Sequence, residues 1–400
     1  MEDRSGRLAF VPPRFGDDVI GGAEVALREA AEGLAERGWQ VDVLTTCARD
    51  HFTWANEYPA GEEQVGKLRV LRFPTVVDTP GSERAWIHAA ILRGEPVPVE
   101  LQERWMNDDL RVPSLWHHLL VHADEYRAVV FAPYLFWTTF ACGQVAPDRT
   151  LLMPCLHDEP EARLDIFGPL FSGARAAWFL SEPERDLARS LYDLPPRHDV
   201  LGTGVDVPTA YDPEGFRERH GIDRPFVLYA GRREGAKGWE WLLETYAAAV
   251  TRHGVDLLFV TTGTGEVRPP PEVADRVIDL GFVSSRERDD AVAAAAAYLQ
   301  PSALESFSRT VMEAWLAGTL VIANGRSDVV RWHCERSGAG LTFDGAEELI
   351  AALRFVDQEP KAADALAAAG RDYVLANYRW DAVLDRVEAA IRQWFPTGDR

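Results

Sequence analysis

The chain has 400 residues, 46% of them hydrophobic and 26% charged, enough for two domains with full cores. Its 63 acidic and 42 basic residues leave a formal charge of −21, which argues against nucleic-acid binding and against a polybasic hold on anionic lipid. Four scattered cysteines with no C-x-x-C pair argue against a disulfide framework or a zinc cage.

Met1 to Ser5 runs into a strand pattern without the apolar core of a signal, and no apolar run approaches the ~20 residues of a membrane span. The expected location is cytoplasmic, with at most peripheral contact at the inner face of a membrane. Leu8–Val11 reads as the first strand, followed by a loop to Gly22 and a helix from about Ala23 to Arg37. Val25, Leu27, Ala31 and Leu34 mark its apolar stripe and Gly38 its stop. Val41–Thr45, Arg69–Phe73, Ala128–Phe131, Leu151–Cys155 and Ala177–Leu180 continue as strands. Between them Asp78–Tyr126 reads as a helical insertion carrying Trp86, Trp105 and Trp116. These rings suit packing, or a platform for an acceptor sugar. His118 and His122 stand i,i+4, but no acidic partner completes a metal motif there.

Gly202–Asp223, rich in Gly, Pro and Asp, reads as a hinge between domains. Strands then resume at Phe226–Ala230, Asp256–Thr261, Val277–Leu280, Ala297–Gln300, Leu320–Ala323 and Gly340–Phe343, and Trp380–Trp394 reads as a closing helix. Strands alternating with helices point to parallel α/β sheets.

The most informative stretch is Leu304–Gly318 (LESFSRTVMEAWLAG). Glu305 and Glu313 are expected to bracket a helix mouth; eight helical residues advance ~12 Å, so the two carboxylates would hold opposite ends of an extended ligand. The amides of Phe307, Ser308 and Arg309 lie where the helix begins, an anion site. A sugar nucleotide has that shape: hydroxyls at each end and a diphosphate between. Phe226–Ala230 runs into Gly231-Arg232-Arg233 and then Lys237-Gly238, which puts basic groups at the carboxyl edge of a sheet, where open α/β sheets bind ligands. Arg offers phosphate a bidentate fork and Lys a point charge; Arg232, Arg233 and Lys237 would give an acidic protein its local basic site. Each alone reads as a solvated loop residue. Thr261–Glu266 (TTGTGE) has Arg268 where a dinucleotide fingerprint needs its third glycine. No G-x-x-x-x-G-K-[ST] loop occurs, and no Asp-x-Asp of the kind metal-dependent transferases use.

Gly231-Arg232, Lys237-Gly238, Glu305 to Glu313 and Ala317-Gly318 together resemble a family-4 retaining glycosyltransferase of the GT-B fold. Pro12–Glu24 (PPRFGDDVIGGAE), Leu44–Ala60, His157-Asp158-Glu159-Pro160 and Ala323–Asp328 are similar to a bacterial subgroup found with polysaccharide and O-antigen assembly. The resemblance covers nearly the whole chain. It implies two Rossmann-like α/β domains facing a cleft: residues 1–204 binding acceptor, residues 205–378 binding donor, and a helix in 379–400 crossing back to the amino domain. It implies that Arg232 and Lys237 neutralise the donor diphosphate, that Glu313 holds the ribose, and that Glu305 holds hydroxyls of the transferred sugar. Gly21 and Gly22 would let backbone approach the phosphates, with Gly231, Gly263, Phe282 and Ser306 to Arg309 completing the donor set. His157 would sit by the anomeric carbon or the sugar's hydroxymethyl group. Ser308 stands where many relatives have Gly, and Arg326-Ser327-Asp328 replaces the usual glycine pair.

The expected function is transfer of a hexosyl unit from a nucleoside-diphosphate sugar to a glycan, a lipid-linked oligosaccharide or a small molecule, with no cofactor and no metal. His157 alone also reads as a satisfied loop histidine. Asp158 and Glu159 read either as acceptor contacts or as caps of the next helix, and Glu24 either as an acceptor contact or as a charge favoured by the helix dipole. A sugar-nucleotide epimerase and a non-catalytic partner of a transferase are the rival functions. An epimerase would act on the donor without acceptor; a partner would be free to lose the basic pair and the glutamates, all of which are present.

Overall fold

Strands and helices alternate along the chain as the apolar runs require. The computed structural model describes residues 5–19, 21–77, 82–108 and 110–397; the ends of the expected domains, the first residues of the expected insertion, Ile20 and Asp109 lie outside that range. The chain forms two compact units, Met1–Gly204 with Trp380–Arg400, and Val205–Arg379.

The first unit holds β1 (Arg7–Val11), β2 (Gln40–Thr46), β3 (Gly61–Val65), β4 (Leu68–Phe73), β5 (Val76–Val77), β6 (Leu110–Arg111), β7 (Tyr126–Phe131), β8 (Thr150–Leu152), β9 (Ala176–Phe179) and β10 (Arg197–Val200). Its main sheet has the order β10-β9-β8-β7-β1-β2-β4-β3, parallel throughout except for the antiparallel edge pair β3–β4. β1, β2, β7, β8 and β9 are almost wholly buried, so they read as continuous apolar runs. β3 (GEEQV) is exposed and polar and carried no such signal. β8 stops at Leu152, short of the expected Cys155, because Pro154 and a left-handed Cys155 (φ +51°) end the ladder.

The first helix spans Gly22–Glu36 and stops before Gly38, whose φ of +96° suits glycine. Its buried face is Ala26, Leu27, Ala30, Ala31 and Leu34; Val25, expected in that stripe, is only half-buried. Helix Trp380–Trp394 packs on this face. Leu384 fills the space above Gly33, and Trp39 Nε1 donates to Glu388 at 2.9 Å. The insertion folds as helices Ser82–Leu92, Val99–Asn107 and Pro113–His122. Trp105 is buried there, while Trp86 and Trp116 face solvent. His122 pairs with Glu125 at 2.7 Å.

The second unit holds β11 (Phe226–Ala230), β12 (Leu258–Thr262), β13 (Val277–Asp279), β14 (Ala297–Gln300), β15 (Leu320–Asn324) and β16 (Gly340–Phe343). All run parallel in the order β13-β12-β11-β14-β15-β16. Each unit is thus a doubly wound, Rossmann-like sheet. The segment expected as a hinge contains a helix, Pro213–His220, capped by Asp212 and closed by a left-handed Gly221. The chain passes between the two units at Gly204 and Val205, within the expected segment; Asp212, Pro213 and Gly221 instead punctuate the helix. Among the described residues no helix is long and apolar enough to cross a membrane.

Candidate functional site

In the second unit the strand order reverses between β11 and β14. Connections leave those two strands towards opposite faces, which opens a crevice at their carboxyl ends. β11 runs out into Gly231–Gly238 and β14 into Pro301–Ser308. The loops touch: Gly238 has φ +73°, and a Cβ there would lie 3.2 Å from the Pro301 carbonyl oxygen. This approach sets Lys237 Nζ 3.0 Å from a Glu305 carboxylate oxygen and 3.2 Å from Ser302 Oγ. The lysine side chain is 31% exposed and the glutamate 14%, so the pair sits at the rim of the crevice. Two residues expected at separate points of a ligand meet each other instead.

Three backbone loops interlock beside this pair. Gly231 N–H donates to Thr262 O at 3.0 Å, Arg233 N–H to Thr264 O at 2.9 Å and Gly263 N–H to Gly281 O at 2.8 Å. Gly263 has φ +133°, and a Cβ there would stand 1.9 Å from the Gly231 carbonyl oxygen. Tyr229 Oη donates to the Arg232 carbonyl at 2.6 Å. Arg232 is half exposed, with Glu234 at 3.3 Å. Arg233 does not belong to the basic site. It is buried, donates to Asp279 at 2.5 Å and Thr261 at 3.2 Å, and lies over the Trp239 ring. Phe282 follows the left-handed Gly281 and is 68% exposed, a flat apolar face at the loop edge.

The helix expected across Glu305 to Glu313 begins only at Arg309 and ends at Leu316. Ser308 has φ +65°, a left-handed value that no residue inside an α-helix adopts, so Glu305 lies in the preceding loop. Ser308 thus keeps the backbone shape that favours glycine. Its Oγ accepts from Gln300 Nε2 at 2.8 Å, which offsets part of the steric cost. Ser306 is half-buried, while Phe307 is buried with its ring edge-on to His333 and Tyr378, at 5.3 and 5.0 Å. Burial, with the Arg336 charge beyond, pushes the His333 imidazole down to about 3 and keeps it neutral. Trp315, fully buried with Nε1 donating to Ala339 O at 2.9 Å, pins the short helix.

Glu313 lies on that helix with Arg288 at 3.3 Å. Burial raises its carboxyl above the usual range against the pull of Arg288 and Arg309. Arg288 was missed. It lies in SRERDDAVAA, which reads as an ordinary charged helix, and only its tertiary position marks it.

In the first unit the order again reverses, between β1 and β7, and the loop after β1 ends at Gly21, with Gly22 opening the first helix. Gly21 precedes the helix, and a Cβ on it would collide with the Glu24 carboxylate. Glu24 is buried and takes both Nε and Nη2 of Arg14, at 3.0 and 2.7 Å. His157 follows β8 with its side chain 33% exposed and Glu159 at 3.6 Å. Asp158 pairs with Arg163 at 2.5 Å, and Glu159 accepts from Tyr134 Oη at 2.7 Å. The next turn, Pro160–Arg163, has no side-chain cap, so neither carboxylate serves as one. A cavity of about 410 Å³ opens beside the loop after β1, walled by Phe15, Asp18, Arg49, Tyr58 and Arg72 among others. Both arginines are paired, Arg49 with Asp18 and Arg72 with Glu63.

The family described as "Glycosyl transferases group 1" matches residues 224–356, the core of the second unit. The chain is 30% identical over 350 residues to an uncharacterized glycosyltransferase of Methanocaldococcus jannaschii, covering 80% of each. It is 26% identical over 331 residues to the 2-deoxystreptamine glucosyltransferase of Streptomyces kanamyceticus, covering 76% of this chain and 80% of that one. Among solved structures it is similar to Anabaena HepE in complex with UDP-glucose. The TM-score is 0.69 at 15% identity, over 97% of this chain and 99% of that one, a likeness of fold.

Proposed function

Since the chain belongs to the group 1 glycosyltransferases, we propose that it moves a hexosyl unit from a nucleoside-diphosphate sugar to an acceptor hydroxyl, retaining the anomeric configuration and using no metal. The observation that carries the donor half is the meeting of Lys237 with Glu305 at the switch point between β11 and β14, beside the start of helix Arg309–Leu316. A diphosphate there draws on Lys237, on exposed Arg232 and on amides at the positive end of the helix dipole. Glu305, released from Lys237, holds sugar hydroxyls, and Glu313 holds the ribose. Positive side chains and amides then do the work that a metal does elsewhere.

The reaction is a front-face substitution. The bond from the anomeric carbon to phosphate oxygen breaks as the acceptor oxygen forms its bond on the same side. The acceptor proton passes to the departing phosphate. The chain's share is positioning and stabilising the leaving charge; His157 stands by the sugar. The family-4 resemblance supports both retention and a glycan or lipid-linked acceptor of the polysaccharide-assembly kind. A small polar acceptor is the second reading, favoured by the relative named for glucosylating 2-deoxystreptamine and by the cavity beside the loop after β1.

Calorimetric titration with UDP, GDP, ADP and dTDP in excess EDTA tests the donor half. Micromolar binding of one nucleotide supports it and names the donor class. Binding of none overturns the roles of Arg232, Lys237 and Glu313.

A further inference from the structure

One carboxylate near His157 has no part in the reaction just described. Glu184 lies in the first turn of helix Glu182–Leu191, behind its cap Ser181, and is 1% exposed. Its Oε1 accepts from Leu156 N–H at 2.8 Å and its Oε2 from Leu180 N–H at 2.6 Å. Leu156 follows β8 and Leu180 follows β9, so a single side chain ties the carboxyl-end loops of two neighbouring strands. A buried carboxylate is expensive even when two amides hold it, and burial pushes its pKa up to about 7, with the His157 charge easing the cost. The backbone it holds is itself strained. Cys155 sits at φ +51°, a left-handed value that is strained for a residue bearing a side chain. Residues 155–157 are therefore held in shape from outside.

We infer that Glu184 is the positioning residue of His157: by fixing the Leu156 amide it locks the strained turn at Cys155 and so aims the imidazole that follows. This rests on the role proposed above for His157. The arrangement resembles the way active-site side chains depend on a supporting shell, where a displacement of about 1 Å costs ~10²-fold in rate. Gln in place of Glu184 keeps the size but turns one of the two oxygens into a donor, which cannot accept from an amide.

The test is a double-mutant cycle of Glu184→Gln and His157→Ala. The readout is release of nucleoside diphosphate from whichever of UDP-, GDP-, ADP- or dTDP-glucose the wild type turns over. Glu184→Gln is expected to lower kcat by ~10²-fold with KM little changed, yet by no more than ~3-fold in the His157→Ala background. Equal losses in both backgrounds overturn the inference, as does an unchanged kcat in the single variant. If His157→Ala alone costs nothing, the role of His157 fails. Positioning is then judged by the His157 imidazole NMR signal, which Glu184→Gln must shift while distant histidines stay put. If the Gln variant does not fold, Glu184→Asp, which keeps the charge and withdraws it by one methylene, must show the same background dependence.

Discussion

An alanine at Gly263 would place its Cβ 1.9 Å from the Gly231 carbonyl oxygen and 2.8 Å from the carbon bearing it. Ordinary contact begins near 3.4 Å, so the two backbones must part by more than about 1 Å. That movement breaks the bonds from Gly231 N–H to Thr262 and from Arg233 N–H to Thr264, at roughly 1 kcal/mol each. Holding a non-glycine residue at φ +133° adds about 1–3 kcal/mol. The sum is ~3–5 kcal/mol, a large share of a domain's stability, and it lowers the melting temperature of the second unit by roughly 10 °C. Gly254→Ala is the control. It shares a positive φ of +69° but has open space around its Cβ position, so it should cost only ~1 kcal/mol. Differential scanning calorimetry of the whole chain reads both variants, and titration with the bound nucleotide reads the displaced Gly231-Arg232 loop. A Gly263→Ala protein that melts like Gly254→Ala would refute the steric reasoning.

Lys237→Met should weaken nucleotide binding by about 10–150-fold, the worth of one charge-assisted bond of ~1.5–3 kcal/mol. Its effect on stability should stay within ~1 kcal/mol, because the Lys237–Glu305 pair is partly solvated; unchanged affinity by calorimetry removes Lys237 from the donor site. Ser308→Gly trades left-handed strain of ~1 kcal/mol for one hydrogen bond of similar worth. Its unfolding midpoint in urea should stay near wild type, whereas Ser308→Val, branched and unable to accept from Gln300, should lose ~2–3 kcal/mol. His333 is neutral in the fold down to about 3 and protonates near 6.5 when unfolded. Between those values the unfolded chain binds more protons, so its contribution is present above pH 6.5 and lost as pH falls towards 3. His333→Gln should flatten that part of the pH dependence of second-unit unfolding; an unaltered slope would show that His333 does not set it.

Much of this molecule was legible from residues alone. Phe226–Ala230 and Ala297–Gln300 are strands at the expected bounds, because a strand covered on both faces must be a continuous apolar run; Gly340–Phe343, a partly buried edge strand, also keeps its expected bounds. Trp380–Trp394 was legible from its helical periodicity. Gly231 and Lys237 stood out because glycines and charges at the ends of apolar runs mark the carboxyl edge of a sheet, and Glu305 and Glu313 because they were expected to bracket a helix mouth.

What sequence could not distinguish is the fate of identical letters. Arg232 and Arg233 are neighbours of one type, yet one is half exposed and the other is buried on Asp279 and Trp239. Nor could it separate Glu184 from Glu182, two residues apart in one helical turn: Glu184 is buried on two backbone amides, whereas Glu182 is only half-buried. The helix start moved to Arg309 because Ser308 turns left-handed. Local pattern determines which segments become strands and helices, since hydrophobic period and turn chemistry act within a few residues. Strand order, and what packs over a given charge, decide which polar groups meet. Those depend on contacts such as Lys237 with Glu305, 68 residues apart, which no local signal encodes.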